Sequence, residues 1–303
     1  MTLDELKAFV TVAEAGGFTK ASALLHRSQP AISRRIDLLE KTLGTPLFER
    51  RGRQIGLTRA GKSLLPHAED ALAAVQDGYN AVRESLERTD GALTLAVVGT
   101  IADSYLVDVL RRFQSEYENI RVDLQTANSR EVSDLVRRGE AAIGLRYFED
   151  ADTRLETSSL GSERLYVVIP ADHQVTVQRR KNLKPFATDR WLGFPANRNQ
   201  PESYGSLLDA QLAADGVTDP QITTVDSLTA QKRLVEAGFG IALMPKRNVQ
   251  EEVRNGSLRL VAVDTLTAQL PVVLVQRRGS VRGASAMALI EMLRANIPDL
   301  LDS

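Results

Sequence analysis

The chain has 303 residues, 43% hydrophobic and 25% charged, which is long enough for two or three domains with cores of their own. Cysteine is absent, and this removes disulfides, thiolate metal sites, cysteine nucleophiles and thiol redox sensing together. The net charge of −1 hides an asymmetry: residues 1–66 hold 11 Lys/Arg against 6 Asp/Glu, a net of +5, and the remainder holds 27 against 33, a net of −6, the distribution of a nucleic-acid module joined to a domain of another kind.

The opening MTLDELKAFV carries two acids and no basic leader region, so no secretory signal is expected. No apolar run reaches the roughly 18 residues of a membrane span. A reducing, cytoplasmic setting without membrane contact fits both facts. Leu3, Leu6, Phe9, Val10 and Ala13 fall at helical spacing, and Gly16–Gly17 stop that helix. Phe18, Ala21, Leu24 and Leu25 repeat the pattern, and a break follows at His26–Arg27.

The next stretch, SQPAISRR (28–35), starts a third helix. Ser28 is a good N-cap, since its hydroxyl can accept a first-turn N–H. Pro30 is tolerated there because first-turn N–H groups lack helical partners. Ile32, Ile36, Leu39 and Leu43 share one face, and Gln29, Ser33 and Arg34 lie elsewhere on the surface. Three short helices with a tight second connection are helix-turn-helix arithmetic. TPLFERRGRQIGLT follows as a basic hairpin or wing with Arg50, Arg51 and Arg53 around Gly52. Gln pairs bidentately with adenine, Arg with guanine, and Ser with either a groove edge or phosphate. Gln29, Ser33 and Arg34 are therefore the candidate base readers, and Arg35, Arg50, Arg51 and Arg53 the candidate phosphate or minor-groove contacts. Most surface arginines are simply solvated; spacing, local charge and the polar stripe set these apart.

Residues 59–88 read as one long helix, about 45 Å if straight. Leu65, Ala68, Leu72, Val75, Tyr79, Val82 and Leu86 alternate three and four apart, a heptad seam that favours a partner helix over a purely intramolecular role. Pro66 kinks it or marks where its straight part begins. GLTRAGKS (56–63) matches G-x-x-x-x-G-K-S. A phosphate loop must follow a buried strand, however, and ERRGRQI is polar and basic; Thr58 is better read as a helix N-cap.

Thr89–Asp90–Gly91 opens a new domain. Strand-like runs lie at 92–99, 121–127, 141–147, 163–170, 191–194, 221–225, 241–245, 258–263 and 270–276. Helical patterns between them, at 104–117, 130–139, 203–214, 228–237 and 284–295, imply an α/β architecture. His26, His67 and His173 are scattered, no nucleophile elbow occurs, and no carboxylate pair stands out. No catalytic residue, metal site or cofactor is expected.

GGFTKAS, SQPAISRRIDLLE, LGTPLFER and LTRAG, in this order and spacing, resemble the DNA-binding domain of LysR-type transcriptional regulators. The resemblance covers the first 66 residues sharply and adds Ser28 and Pro30 to the candidate DNA contacts. It continues less sharply through LVRRGEAAIGLRY, which departs from the family in carrying Ala141–Ala142 where an aspartate is usual, and through VEAGFGIALMP. It implies a multidomain bacterial, non-enzymatic regulator: a mainly α winged helix-turn-helix domain (1–58), a linker helix that dimerises (59–89), and a two-lobed, periplasmic-binding-protein-like α/β effector domain (90–303). Lobe I would hold 91–161 and 267–303, and lobe II 162–266. The implied partners are double-stranded promoter DNA, a small-molecule effector, and further copies in a dimer or tetramer. By resemblance the effector would meet Thr100, Asn128, Ser129, Arg146, Pro201, Glu202, Ser203, Ser227, Phe239 and Gly240. Ligands in open α/β folds do bind beyond strand C-termini, where helix N-termini favour anions, which suits a small carboxylate-bearing metabolite. Glu202 complicates this: beside the cleft it would repel an anion or recruit an amine, unless Arg198 neutralises it. The rival readings are a small-molecule-binding or enzymatic α/β protein with an incidental helical domain, and a sequence-indifferent architectural DNA binder.

Overall fold

The computed structural model describes residues 1–51, 54–86, 92–102, 106–196, 203–280 and 283–301. The N-terminal part comprises α1 (Leu3–Ala15), α2 (Phe18–Leu24), α3 (Gln29–Leu43), a hairpin of β1 (Phe48–Arg51) and β2 (Gln54–Leu57), and the long α4 (Arg59–Leu86). Thr2 and Glu5 close a capping box on α1, and Gly16, at φ 66°, ends it in the left-handed conformation. Phe9, Val12, Ala21, Ile32, Ile36 and Leu39 are all but inaccessible and form one core. Phe48 joins it, its ring 5.5 Å from Phe9 and 5.8 Å from Phe18. Glu40 of α3 fixes the approach to the hairpin by accepting the Leu47 N–H at 2.6 Å.

The GLTRAGKS stretch is no loop. Its first residues close β2, and Thr58 caps α4, accepting the Gly61 N–H at 3.0 Å and donating to the Pro46 carbonyl at 2.8 Å. Gly61 is obligatory for packing: a Cβ there would lie 2.2 Å from the Leu47 carbonyl oxygen. The second glycine of the apparent phosphate loop is where α4 meets the backbone of Leu47, just before β1.

The heptad seam of α4 divides. Ala68 is buried in the N-terminal core, and Leu65 and Leu72 pack against it. This half of the seam is consumed within the chain, contrary to its expected use against a partner. Val75 is half-buried, Tyr79 and Val82 are 66% and 57% exposed, and the side chain of Leu86 lies outside the described residues.

The C-terminal part runs β3 (Ala92–Val98), α5 (Gly99–Ala102), α6 (Leu106–Glu116), β4 (Arg121–Ala127), α7 (Ser129–Arg137), β5 (Ile143–Tyr147), β6 (Leu155–Pro170), β7 (Arg179–Arg180), β8 (Arg190–Gly193), α8 (Tyr204–Ala214), β9 (Gln221–Thr224), α9 (Leu228–Glu236), β10 (Ala242–Pro245), α10 (Gln250–Asn255), β11 (Leu258–Val263), β12 (Gln269–Arg277) and α11 (Ala284–Leu301). An eight-stranded sheet has the order β4-β3-β5-β12-β6-β11-β7, with β10 also on β6. Parallel pairs flank β3, and β12 is antiparallel to both β5 and β6. The first half of β6 belongs with β3, β4, β5 and β12, and the second half with β10 and β11. The long strand thus passes from one lobe to the other, and a bulge marks the crossing: Val272 faces Gly161 while Val273 faces Ser159. Gly161, at φ 121°, holds the turn of chain this demands. Among the described residues no helix is long and apolar enough to cross a membrane.

Candidate functional site

Two regions gather the candidate residues. The first is the outer face of α3. Ser28, Gln29, Pro30 and Arg34 are exposed and Ser33 is half-exposed, while Ile32 and Ile36 hold the helix down from behind. Ser28 occupies the N-cap in extended backbone, but its hydroxyl makes no capping bond. The N–H of Ala31, which a capping hydroxyl would take, goes to the Ser28 carbonyl instead. The expected side-chain cap is therefore replaced by a backbone one, and the hydroxyl stays on the surface. Arg35 is engaged by Asp4 of α1 at 2.8 Å, which ties α3 to α1 in the free chain. Arg50 and Arg51 sit on β1, paired with Ile55 and Gln54. Their side chains, and Arg53 altogether, lie outside the described residues.

The second region is a cleft of ≈ 1290 Å³ between the lobes, wide for one small ligand by the usual ~300–1,000 Å³ of such sites. Helix starts surround it: Ser129 opens α7, Ser203 caps α8 and Ser227 caps α9. Asn128 is occupied locally, its Oδ1 accepting the N–H groups of Arg130 and Glu131 at 3.1 and 3.0 Å. Ser203 and Ser227 likewise accept N–H groups of Ser206 and Ala230, each at 3.3 Å. Thr100 differs: its hydroxyl is buried and has no hydrogen-bond partner among the described residues, while its carbonyl accepts from Asn248 of the other lobe at 2.8 Å.

Arg146 reaches the cleft wall but is 2% exposed. It donates to Ser133 at 2.7 Å and pairs closely with Asp150. Burial pushes the guanidinium down, and Asp150 draws it back up. Despite its own burial, Asp150 is held below the usual carboxylate range by Ser133, the Asp152 N–H and Arg146. The expected anion clamp is thus already neutralised. Phe239 and Gly240, also expected in the cleft, line a separate concavity with His173 and Asp189. Gly240 has a packing reason to be glycine, since a Cβ would meet the Arg190 carbonyl at 2.4 Å. Pro201, Glu202 and Arg198 lie outside the described residues.

Sequence reasoning passed over several residues that line the cleft. Arg130, Asp134 and Arg138 do so at four-residue spacing, along one face of α7 and its C-cap. That stripe was legible in the sequence. Glu14, contributed by α1, was not. At the floor, Tyr147 donates to Glu163 at 2.8 Å, and Tyr204 stands edge-on to Tyr147 at 5.8 Å. Burial pushes the Glu163 carboxyl up to about 7 against the pull of the Tyr147 hydroxyl and Arg247. Among the described residues no group of His, Cys, Asp and Glu is placed to hold a metal ion.

Comparison with known proteins matches both regions. The family model for the bacterial regulatory helix-turn-helix protein, lysR family, covers residues 3–62, and that for the LysR substrate binding domain covers 87–298. The chain is 29% identical to the HTH-type transcriptional regulator CitR of Bacillus subtilis over 291 residues, 94% of this chain and 93% of that one. It is 31% identical to the Hca operon transcriptional activator HcaR of Escherichia coli over 250 residues, 81% and 82% of the two chains. Among solved structures, full-length CbnR, a LysR family transcriptional regulator, superposes with a TM-score of 0.64 at 24% identity, covering 97% of this chain and 99% of that one. CbnR complexed with its target DNA gives a TM-score of 0.61 at 25% identity, with the same coverage.

Proposed function

The chain belongs to the LysR family of transcriptional regulators, and from that premise we propose that it reads promoter DNA with the outer face of α3 and answers to a small, carboxylate-bearing metabolite held between its lobes. Gln29, Ser33 and Arg34 read base edges; Ser28, Pro30, Arg35 and the wing arginines Arg50, Arg51 and Arg53 position the helix on phosphates or the minor groove. Arg35 exchanges Asp4 for phosphate on docking. The observation that carries the DNA reading is the division of α3, with Ile32 and Ile36 sealed into the core behind exposed Gln29 and Arg34.

The effector meets Thr100, Ser129, Ser203 and Ser227, with Asn128 holding the start of α7 open to it. Helix N-termini favour an anion there, and the unpartnered Thr100 hydroxyl supports a ligand-side acceptor. Arg146 backs the site as one half of a neutralised pair with Asp150, and Pro201 and Glu202 are further effector contacts. Phe239 and Gly240 shape lobe II rather than touch the ligand. A second copy of the chain covers Tyr79 and Val82 of α4, giving a dimer or a dimer of dimers; Val75 and Leu86 extend that contact.

Fluorescence anisotropy on the DNA upstream of the protein's own gene tests the reading. Wild type should prefer that DNA over a scrambled duplex by about 10³ or more, and affinity should fall steeply with salt. Arg34→Ala should lose about 1–3 kcal/mol of that discrimination. Equal binding of both duplexes by both proteins would falsify base reading by α3 and leave an electrostatic surface.

A further inference from the structure

The cleft does not end at the lobes. Its lining extends to Glu14, the penultimate residue of α1 in the DNA-reading domain, whose Oε1 lies 2.5 Å from a guanidinium nitrogen of Arg138. Arg138 caps the C-terminus of α7, and Gly139, at φ 72°, turns the chain sharply after it. The side chain is therefore held at one end of a helix whose other end, Asn128–Ser129, opens into the inner cleft. Ten residues separate these ends, about 15 Å of helix, and the stripe Arg130–Asp134–Arg138 runs between them.

The pair is accessible to exchange, its Arg138 and Glu14 side chains being 22% and 34% exposed. Glu14 stands among like charges: burial pushes its carboxyl up, Glu69 and Asp134 push the same way, and Arg138 opposes them without prevailing. Arg138 also reaches Glu140 at 2.7 Å, so it keeps a carboxylate when Glu14 leaves. Among the described residues, α4 also ties the N-terminal part to lobe I. Glu69 meets Arg154 at 2.6 Å and Arg137 at 3.2 Å, Asp77 pairs closely with Arg277, and the backbone of Ala73 packs on Gly139. Among the described residues, Glu14 and Arg138 form the ion pair between the N-terminal part and lobe I whose two members both line the cleft.

We propose that Glu14 and Arg138 form a latch through which the contents of the cleft are reported to the DNA-reading domain: an anionic group entering the outer cleft takes Arg138 from Glu14 and frees α1. This rests on the cleft being the effector site. It adds that one side chain of the DNA-reading domain competes with the ligand for the same arginine.

The absence of cysteine makes the test direct. Lys20→Cys in the reading domain and Glu118→Cys just past the end of α6, both at exposed positions, carry spin labels in the full-length protein. Excess unlabelled chain isolates the distance within one protomer. Glu14→Gln should populate a second, longer distance several-fold above wild type. Arg138→Gln should do the same, and the double variant should do no more than either alone. Succinate, compared with chloride at matched ionic strength, should shift wild type the same way and leave Arg138→Gln unmoved. Unchanged distances in both single variants, or effects that add in the double variant, overturn the latch. If succinate raises the thermal midpoint but moves no distance, the cleft binds anions and the latch is wrong. If succinate changes neither, the anionic-ligand reading of the cleft fails, and the latch loses its trigger.

Discussion

Tyr147 donates its hydroxyl to Oε2 of Glu163 across 2.8 Å, next to the point where β6 passes from one lobe to the other. The carboxyl is 4% exposed, and its ordinary value of 4.5 is raised to about 7 by burial. Between these values the folded chain holds a proton that the unfolded chain has released. Stability from this group is therefore full below pH 4.5 and is lost as pH rises through about 7, a swing of about 3 kcal/mol at roughly 1.36 kcal/mol per unit. Glu163→Gln, whose carbonyl still accepts from Tyr147, should flatten that part of the profile and exceed wild type in stability above pH 7. Urea midpoints across pH 4–8 measure it; a profile with the same slope in both proteins sinks the assignment.

Gly61 is the most demanding position of the N-terminal core. Gly61→Ala places a Cβ on the Leu47 carbonyl and should cost about 1–3 kcal/mol or more by overpacking. The loss should appear as an earlier transition of the DNA-reading domain with DNA affinity falling alongside. Retention of wild-type unfolding would mean that α4 and the Leu47 backbone can separate freely.

Ser28 and Thr58 both stand at N-caps, and only Thr58 caps with its side chain. Thr58→Ala should destabilise by about 1 kcal/mol. Ser28→Ala should stay within about 0.5 kcal/mol of wild type while weakening DNA binding. Equal losses of stability from the two would place the Ser28 hydroxyl in the fold rather than on the DNA.

Tyr79 and Val82 are the exposed remainder of the α4 seam. Val82→Glu should shift the chain towards monomer in sedimentation velocity without unfolding either domain. An unchanged mass would assign self-association to another surface.

The sequence made the local features legible. The 3–4 spacing of Ile32, Ile36 and Leu39 found the buried face of α3, and Thr58 was readable as a cap because its capping bond to Gly61 is local. What stayed hidden depends on distant chain. The first half of β6, LETSSLGS, is polar and carries no strand signal; it is extended because β12, more than a hundred residues later, pairs with it. Glu14 and Arg138 meet across 124 residues, a contact no periodicity encodes. Arg146 read as an anion clamp because its type fits one, whereas Ser133 and Asp150 had already claimed it. Phe239 and Gly240 followed the family pattern, and that pattern is explained by the close approach of Gly240 to Arg190.

The crossing of β6 between lobes, with β12 alongside it over nine registered residues, means that no linker separates the two halves of the effector domain. Neither half can be excised as a fragment: a cut between them severs a strand, and lobe I is unfinished until β12 and α11 arrive from the far end of the chain. On the ribosome the cleft between the lobes is therefore completed last. A nascent chain carries its whole helix-turn-helix domain well before it carries a finished effector domain.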